Sequence, residues 1–216
     1  MQRVSAMARP RRIQIADLTQ HVINRGNNRS DIFRADEDYL FFLVALRDAA
    51  VRYQLEVHAY ALMTNHFHLM ATPRVATGLS AAMHALGTKY VLYFNRRYAR
   101  TGGLFEGPFK SSVIDTDTYW FTCMRYVELN PVRAGLVSEP ADYRWSSYRS
   151  NALGVHDRLI APHSLYVSLG KSASCRQQSW RGQCCEAITQ EQLFKLREAT
   201  RCGGVLSDAS QRSTEP

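Results

Sequence analysis

The chain has 216 residues, 45% of them hydrophobic and 21% charged, a composition typical of a globular protein and unlike that of a fibrous or disordered chain. This length allows one well-packed domain with an appendage, but not two full domains. The net charge of +8 indicates a polyanionic partner, either nucleic acid or an anionic membrane surface.

Two further features favour nucleic acid and a cytoplasmic protein. The longest apolar run, residues 39–46, is far too short to span a bilayer, so we expect no membrane association. The five cysteines form no CxxC pairs, which argues against a zinc site and indicates a reducing compartment.

The first predicted elements are a strand and a helix. Residues 19–24 have strand character, and a Gly/Asn-rich turn follows at 25–29. Acidic residues at 36–38 then begin a helix, because negative charge stabilises the free amide groups of a helix N terminus. The helical spacing predicts an apolar face made of Leu40, Leu43, Val44 and Val51.

A hairpin and a second helix are predicted next. Residues 55–63 and 66–72 read as two strands around a tight turn at Thr64 and Asn65. The second helix ends near residues 101–103. Its apolar stripe is predicted to consist of Leu79, Met83, Leu86, Tyr90 and Tyr93.

The remaining pattern completes an α+β fold. Residues 109–115 form a strand, and Asp117 caps a third helix that runs to Asn130, where Pro131 disfavours its continuation. The order strand, helix, hairpin, helix, strand, helix predicts an antiparallel sheet of four or five strands with packed helices.

We divide the chain into a main domain, residues 1–150, and a C-terminal extension, residues 151–216. Residues 168–185 are polar and rich in Gly and Ser, while residues 189–200 have the pattern of a short helix. The tail from Gly203 onward is predicted to be disordered.

His66 and His68 are candidate metal ligands. Residues two apart in a strand point to the same face, so both imidazoles could reach one divalent cation while Phe67 packs behind them. The alternative is a pair of half-buried strand histidines with no ligand.

Tyr126 and Asn130 are a candidate nucleophile and a candidate third ligand. They stand four residues apart on the predicted third helix, and therefore on one face. A tyrosine beside a metal-polarised phosphate is a competent nucleophile, and an amide oxygen suits Mg²⁺ or Mn²⁺. The alternative is a tyrosine that packs in the core.

The sequence resembles the Y1 transposases of the IS200/IS605 type, and within them most closely the REP-associated tyrosine transposases. The resemblance extends from about residue 7 to residue 148. It rests on five stretches in the order found in that family, namely residues 7–13, 21–27, 58–69, 103–111 and 125–137.

This resemblance implies an HUH-type fold and a chemistry. His66, His68 and Asn130 would hold Mg²⁺ or Mn²⁺, and Tyr126 would attack a phosphate of single-stranded DNA. The attack would leave a 5′-phosphotyrosine link and a free 3′-hydroxyl, and its reversal would rejoin the strand. The substrate would be a DNA hairpin from repetitive extragenic palindromes with a single-stranded flank, and the protein a monomer or homodimer at the bacterial nucleoid.

Several basic and amide side chains are candidate DNA contacts. Asn24, Arg25 and Asn27 follow from the resemblance, and Lys110 and Arg133 lie in stretches that carry it. The run of Arg96, Arg97 and Arg100 at the end of the second helix could contact phosphate or form a solvated face.

Four other residues are weaker candidates. Tyr119 is a backup nucleophile, and His58 is expected to be a strand residue with a satisfied imidazole. Trp145 and Tyr148 could stack on bases, although core packing is the first expectation.

Two other functions compete with the transposase. A domesticated, non-catalytic hairpin-binding protein would keep the basic surface, but it would not need His66, His68, Tyr126 and Asn130 together. A rolling-circle replication initiator shares the histidine pair, but the sequence at 130–135 favours a transposase.

Overall fold

A computed structural model describes residues 13–207, and a five-stranded sheet in the order β2-β3-β1-β4-β5 is its centre. The strands are β1 Gln20–Arg25, β2 Leu55–Met63, β3 His66–Pro73, β4 Lys110–Ile114 and β5 Val205–Leu206. Pairing is antiparallel except between β4 and β5, which are parallel. The predicted α+β fold is confirmed, with one parallel pair that the sequence did not indicate.

Helices cover both faces of the sheet. They are α1 Asp36–Arg52, α2 Gly78–Arg97, α3 Asp117–Glu128, α4 Asn130–Arg133, α5 Tyr148–Leu153, α6 Ser164–Ser168, α7 Ala173–Cys184 and α8 Gln190–Cys202. Within residues 13–207, none of them is both long and apolar enough to cross a membrane.

Strand alternation divides the interior into two cores. Phe67 and Leu69 of β3 belong to a core shared with α1 and α2. Met70 of the same strand belongs to a second core, which includes Tyr126 of α3 and Leu196 of α8. His66 and His68 have the same parity as Met70, so they lie on the side of the sheet that faces α3 and α8.

The predicted apolar face of α1 is wrong. Leu40, Val44 and Val51 are 51%, 47% and 78% exposed, and Leu43 is only partly buried. The buried stripe instead contains Tyr39, Phe42, Leu46 and Ala49. This stripe has the same helical spacing but two aromatic rings, which bury more surface than the aliphatic row does.

The predicted stripe of α2 is confirmed in large part. Leu79, Met83, Leu86 and Tyr90 are buried. Phe94 continues the stripe in place of Tyr93, whose hydroxyl donates to Asp38 Oδ1 at 3.1 Å. The helix ends at Arg97, before the expected glycine pair at 102–103.

Most of the segment beyond residue 150 packs on the α3 side of the sheet, while Leu159 belongs to the core shared with α1 and α2. The carboxylate of Glu128, at the end of α3, accepts hydrogen bonds from Ser147, Asn151 and Trp180 at 2.5, 2.7 and 2.8 Å. Burial raises the pKa of Glu128 to about 7, an effect that the three donors oppose. The division at residue 150 stays a prediction.

The expectation of a disordered tail is wrong for residues 203–206. Gly203 ends α8 with a φ of 71°, a left-handed conformation that favours glycine. Val205 and Leu206 then pair with Val113 and Ile114 of β4. The rest of the predicted tail, from residue 208, lies outside the described residues, as do residues 1–12.

Candidate active site

His66 and His68 open into one pocket of about 390 Å³ on the α3 side of the sheet. Their strand pairs with β1 so that His66 lies opposite Arg25 and His68 opposite Ile23. The two imidazole centroids are 5.1 Å apart, with the rings at 82°. Both predicted ligands therefore lie on one face of an interior strand.

Tyr126 and Asn130 line the same pocket from the opposite side. The phenol ring is edge-on to His68, with centroids 5.4 Å apart, and is 8% exposed. The sequence predicted Asn130 on α3, and this prediction is wrong. Helix α3 ends at Glu128, and Asn130 begins the short helix α4. Pro131 occupies the first turn of α4, where its missing N–H costs nothing.

Burial keeps the two histidines neutral. It lowers the pKa of His66 to about 4, with nearby Arg25 acting in the same direction, and holds the pKa of His68 well below its ordinary value. A neutral imidazole has one nitrogen lone pair that can ligate a metal.

The Nδ1 atoms of both histidines are engaged within the protein. His66 Nδ1 is 2.7 Å from Asn65 Oδ1, and His68 Nδ1 is 2.9 Å from His21 Nε2. Across residues 13–207, no hydrogen bond involves either Nε2, and no group of three His, Cys, Asp or Glu could hold a metal. A site built on His66 and His68 therefore needs an amide or water as its third ligand, and Asn130 fits that need.

Positive charge surrounds the pocket. Arg25 and Lys110 line it from the sheet, and Arg197 and Arg201 line it from α8. Glu106 also lines it and lies 3.7 Å from the Lys110 ammonium. This excess of cations suits a phosphate-bearing ligand.

Arg133 lies over the candidate nucleophile. Its guanidinium carbon is 5.0 Å from the centre of the Tyr126 ring. Burial lowers the pKa of Arg133 below its ordinary value, an effect that Tyr126 opposes. Because arginine remains charged in proteins, the Tyr126 ring lies beside a permanent positive charge.

Residues 14–130 match the model of a protein family described as "Transposase IS200 like". The chain belongs to the IS200-like transposase family. The matched span contains the four residues of the proposed chemistry, His66, His68, Tyr126 and Asn130. It ends before α8, so the arginines that α8 contributes lie outside it.

Comparison with solved structures finds two transposases, of which the first shares the fold of this chain. One is a REP-associated tyrosine transposase bound to a REP hairpin, with a TM-score of 0.59 and 18% identity, covering 73% of this chain and 93% of that one. Another, a putative transposase from Deinococcus radiodurans R1, has a TM-score of 0.39 and 20% identity over 53% of this chain and 91% of its own. Comparison with curated protein sequences finds no match.

The predicted DNA contacts of the transposase fall into two groups. Asn24, Arg25 and Lys110 line the pocket, and Arg133 adjoins it. The other four, Asn27, Arg96, Arg97 and Arg100, do not line it.

The second group has other surroundings. Arg97 pairs with Glu37 at 3.1 Å, and Arg100 lies over the ring of Phe94 with its guanidinium carbon 5.7 Å from the centroid. Arg96 and Asn27 are exposed.

The four weaker candidates do not line the pocket of His66 and His68. Tyr119 lines a separate pocket beside Lys195. His58 is 2.7 Å from the Ala161 carbonyl and 2.8 Å from Thr72 Oγ1, which agrees with the expected satisfied imidazole. Trp145 and Tyr148 are buried in the two cores, 8% and 7% exposed, as core packing requires.

Sequence reasoning missed His21 and the contribution of α8 to the pocket. His21 stands two residues before Ile23, so strand alternation places it on the same face as the pocket. That parity was a usable signal. No local pattern brings Arg197 or Thr200 to this place, because the contact is made by the fold.

Proposed function

We propose that this transposase cleaves and rejoins single-stranded DNA beside a hairpin, with Tyr126 as nucleophile and with Mg²⁺ or Mn²⁺ held by His66, His68 and Asn130. The main support for this proposal is that these four side chains line one cationic pocket. When bound, the metal would polarise the scissile phosphate.

In this reaction the DNA phosphate would be transferred to Tyr126. The Tyr126 oxygen forms a bond to phosphorus and loses its proton, while the bond from phosphorus to the 3′-side oxygen breaks and that oxygen gains a proton. The products are a 5′-phosphotyrosine and a free 3′-hydroxyl, and the reverse reaction rejoins a strand. Arg133, whose guanidinium lies over the Tyr126 ring, would place positive charge beside the negative charge that develops during the transfer.

The hairpin part of the proposal rests on charge and on fold. Arg25, Lys110, Arg197 and Arg201 provide phosphate contacts on two sides of the pocket. The solved REP-associated transposase of similar fold is bound to a REP hairpin. We further propose that the protein acts on such DNA as a monomer or a homodimer at the bacterial nucleoid.

Tyr126→Phe, compared with Tyr119→Phe, tests the proposal. Both substitutions keep a buried ring on α3 and remove one hydroxyl. Wild type and Tyr119→Phe should form a covalent adduct with a labelled hairpin carrying single-stranded flanks in Mn²⁺, seen as a shifted band on a denaturing gel. Tyr126→Phe should form none and bind the hairpin as wild type does.

Either of two results would contradict the proposal. An adduct with Tyr126→Phe would assign the nucleophile to another hydroxyl. Hairpin binding by wild type without any adduct in Mg²⁺ or Mn²⁺ would favour the non-catalytic hairpin-binding protein.

A further inference from the structure

A chain of hydrogen bonds connects the pocket to helix α8 through His21. His21 Nε2 is 2.9 Å from His68 Nδ1, and His21 Nδ1 is 2.9 Å from Thr200 Oγ1. The two imidazole planes are within 6° of parallel, as expected for a hydrogen bond that lies in both ring planes. His21 and Thr200 are 2% and 5% exposed, so water competes little for these bonds.

The hydrogen bond that Thr200 makes with Leu196 fixes which atom donates in each bond of this series. Thr200 Oγ1 is 2.8 Å from the carbonyl oxygen of Leu196, which only accepts, so the hydroxyl proton is placed there. Thr200 Oγ1 then accepts the Nδ1–H of His21. A neutral imidazole carries one N–H, so His21 Nε2 has a lone pair and accepts from His68 Nδ1–H.

We propose that Thr200 is a positioning residue that, through His21, holds His68 in the tautomer whose Nε2 presents a lone pair to the pocket. The proposal rests on the proposed function to the extent that His68 is a metal ligand there. It makes α8, which lies outside the span matched by the family model, a part of the metal site.

If these hydrogen bonds ran in the opposite direction, His68 could not ligate a metal in the pocket. If Thr200 donated to His21, then His21 would donate to His68, and the remaining proton of His68 would occupy Nε2. Outer-shell hydrogen bonds of this kind fix the tautomer and ring orientation of ligating histidines. For His66 the corresponding partner is local, since its Nδ1 bonds to the neighbouring Asn65.

The test removes the hydroxyl of Thr200 and compares an equivalent deletion elsewhere. Thr200→Val keeps the shape of the side chain, and Thr200→Ser keeps the hydroxyl. Thr72→Val is the matched control, because Thr72 Oγ1 also bonds a buried imidazole, His58 Nε2 at 2.8 Å, outside the pocket.

Two readouts are used on the full chain without DNA. Imidazole ¹⁵N NMR of the metal-free protein should show His68 with Nδ1 protonated in wild type, Thr200→Ser and Thr72→Val, and lose that single tautomer in Thr200→Val. Calorimetric titration with Mn²⁺ should show binding weakened about 10- to 100-fold in Thr200→Val, the range typical for outer-shell partners. His21→Phe, which keeps a ring without nitrogens, should behave as Thr200→Val does and serves if the latter does not fold.

An unchanged His68 tautomer in Thr200→Val and His21→Phe would overturn the inference. So would Thr72→Val losing Mn²⁺ affinity as strongly as Thr200→Val. A wild-type protein that binds no Mn²⁺ would overturn the proposed metal site instead, and the NMR comparison would still decide the role of Thr200.

Discussion

His58 shows how burial fixes the charge of a single side chain. Burial lowers its pKa to about 4, below the ordinary 6.5 of an unfolded chain. The folded state therefore resists protonation, so the contribution of His58 to stability is complete above pH 6.5 and is lost as the pH falls toward 4. Each pH unit in that window costs about 1.4 kcal/mol of unfolding free energy.

We expect His58→Asn to reduce this acid sensitivity. Asparagine does not titrate, and its amide can still donate to the Ala161 carbonyl. Urea unfolding at pH 7, 5.5 and 4.5 should give a shallower decline in unfolding free energy than wild type. Substitution of the exposed His84 by Asn is the control, and an equal change in both variants would contradict the assignment.

His66→Ala should abolish adduct formation for a different reason than Tyr126→Phe does. The alanine variant lacks one proposed ligand, and mass action from added Mn²⁺ can offset weaker binding. Adduct yield in a Mn²⁺ titration should therefore recover slightly for His66→Ala and stay at zero for Tyr126→Phe. Full activity of His66→Ala at low Mn²⁺ would show that His66 is not a metal ligand.

Patterns of short range predicted the residues of the site that lie close together in sequence. His66 and His68 share a strand face, as their spacing suggested. Tyr126 and Asn130 line the same pocket, although Asn130 begins α4 and does not continue α3. Thr200 escaped prediction because its partner His21 is 179 positions away. No spacing rule reaches that far.

At the scale of elements, Glu128 joins α3 to the C-terminal helices. Its two oxygens accept from three donors, Ser147, Asn151 and Trp180. Glu128→Gln has one acceptor oxygen and adds two N–H donors, so at least one buried donor loses its partner. We expect a loss of about 1–3 kcal/mol in unfolding free energy, measured by urea denaturation.

Glu139→Gln is the matched control, since Glu139 is exposed and its substitution should leave stability nearly unchanged. Wild-type stability of Glu128→Gln would show that the three bonds contribute nothing net. Because Glu128 follows Tyr126 by one half-turn, weaker adduct formation in a folded Glu128→Gln would further indicate that the network holds the nucleophile.

Elements with a strong apolar period were predictable, and polar ones were not. The hairpin of β2 and β3 was predicted because both strands and their turn have clear patterns. Helix α7 was missed because Trp180 is its one fully buried side chain. Strand β5 is two residues long and forms only by pairing with β4, which tertiary structure alone can dictate.

At the scale of the whole molecule, binding energy should come from cations that the fold gathers around the pocket. Arg197→Gln should weaken hairpin binding and reduce the magnitude of the salt slope, because neutralised phosphates release counterions. Fluorescence anisotropy at several salt concentrations measures this slope, which should change by about one unit for each phosphate that the variant no longer neutralises.

Arg96→Gln removes the same charge outside the pocket and should change the slope little. Equal effects of Arg96→Gln and Arg197→Gln would indicate a diffuse basic surface. A preference for hairpins with single-stranded flanks over plain duplex, in the same assay, would agree with the pocket as the binding site.

The bond between His21 and Thr200 also bears on how the enzyme is made. At about 5–20 residues per second, a ribosome needs about 10–35 s to add the 179 positions that separate the two residues. For most of that interval the nascent chain contains His66 and His68, but α8 is incomplete. We expect a chain stopped at residue 189 to bind Mn²⁺ more weakly than the full chain does, so that the proposed metal site reaches its full affinity only after synthesis has passed Thr200.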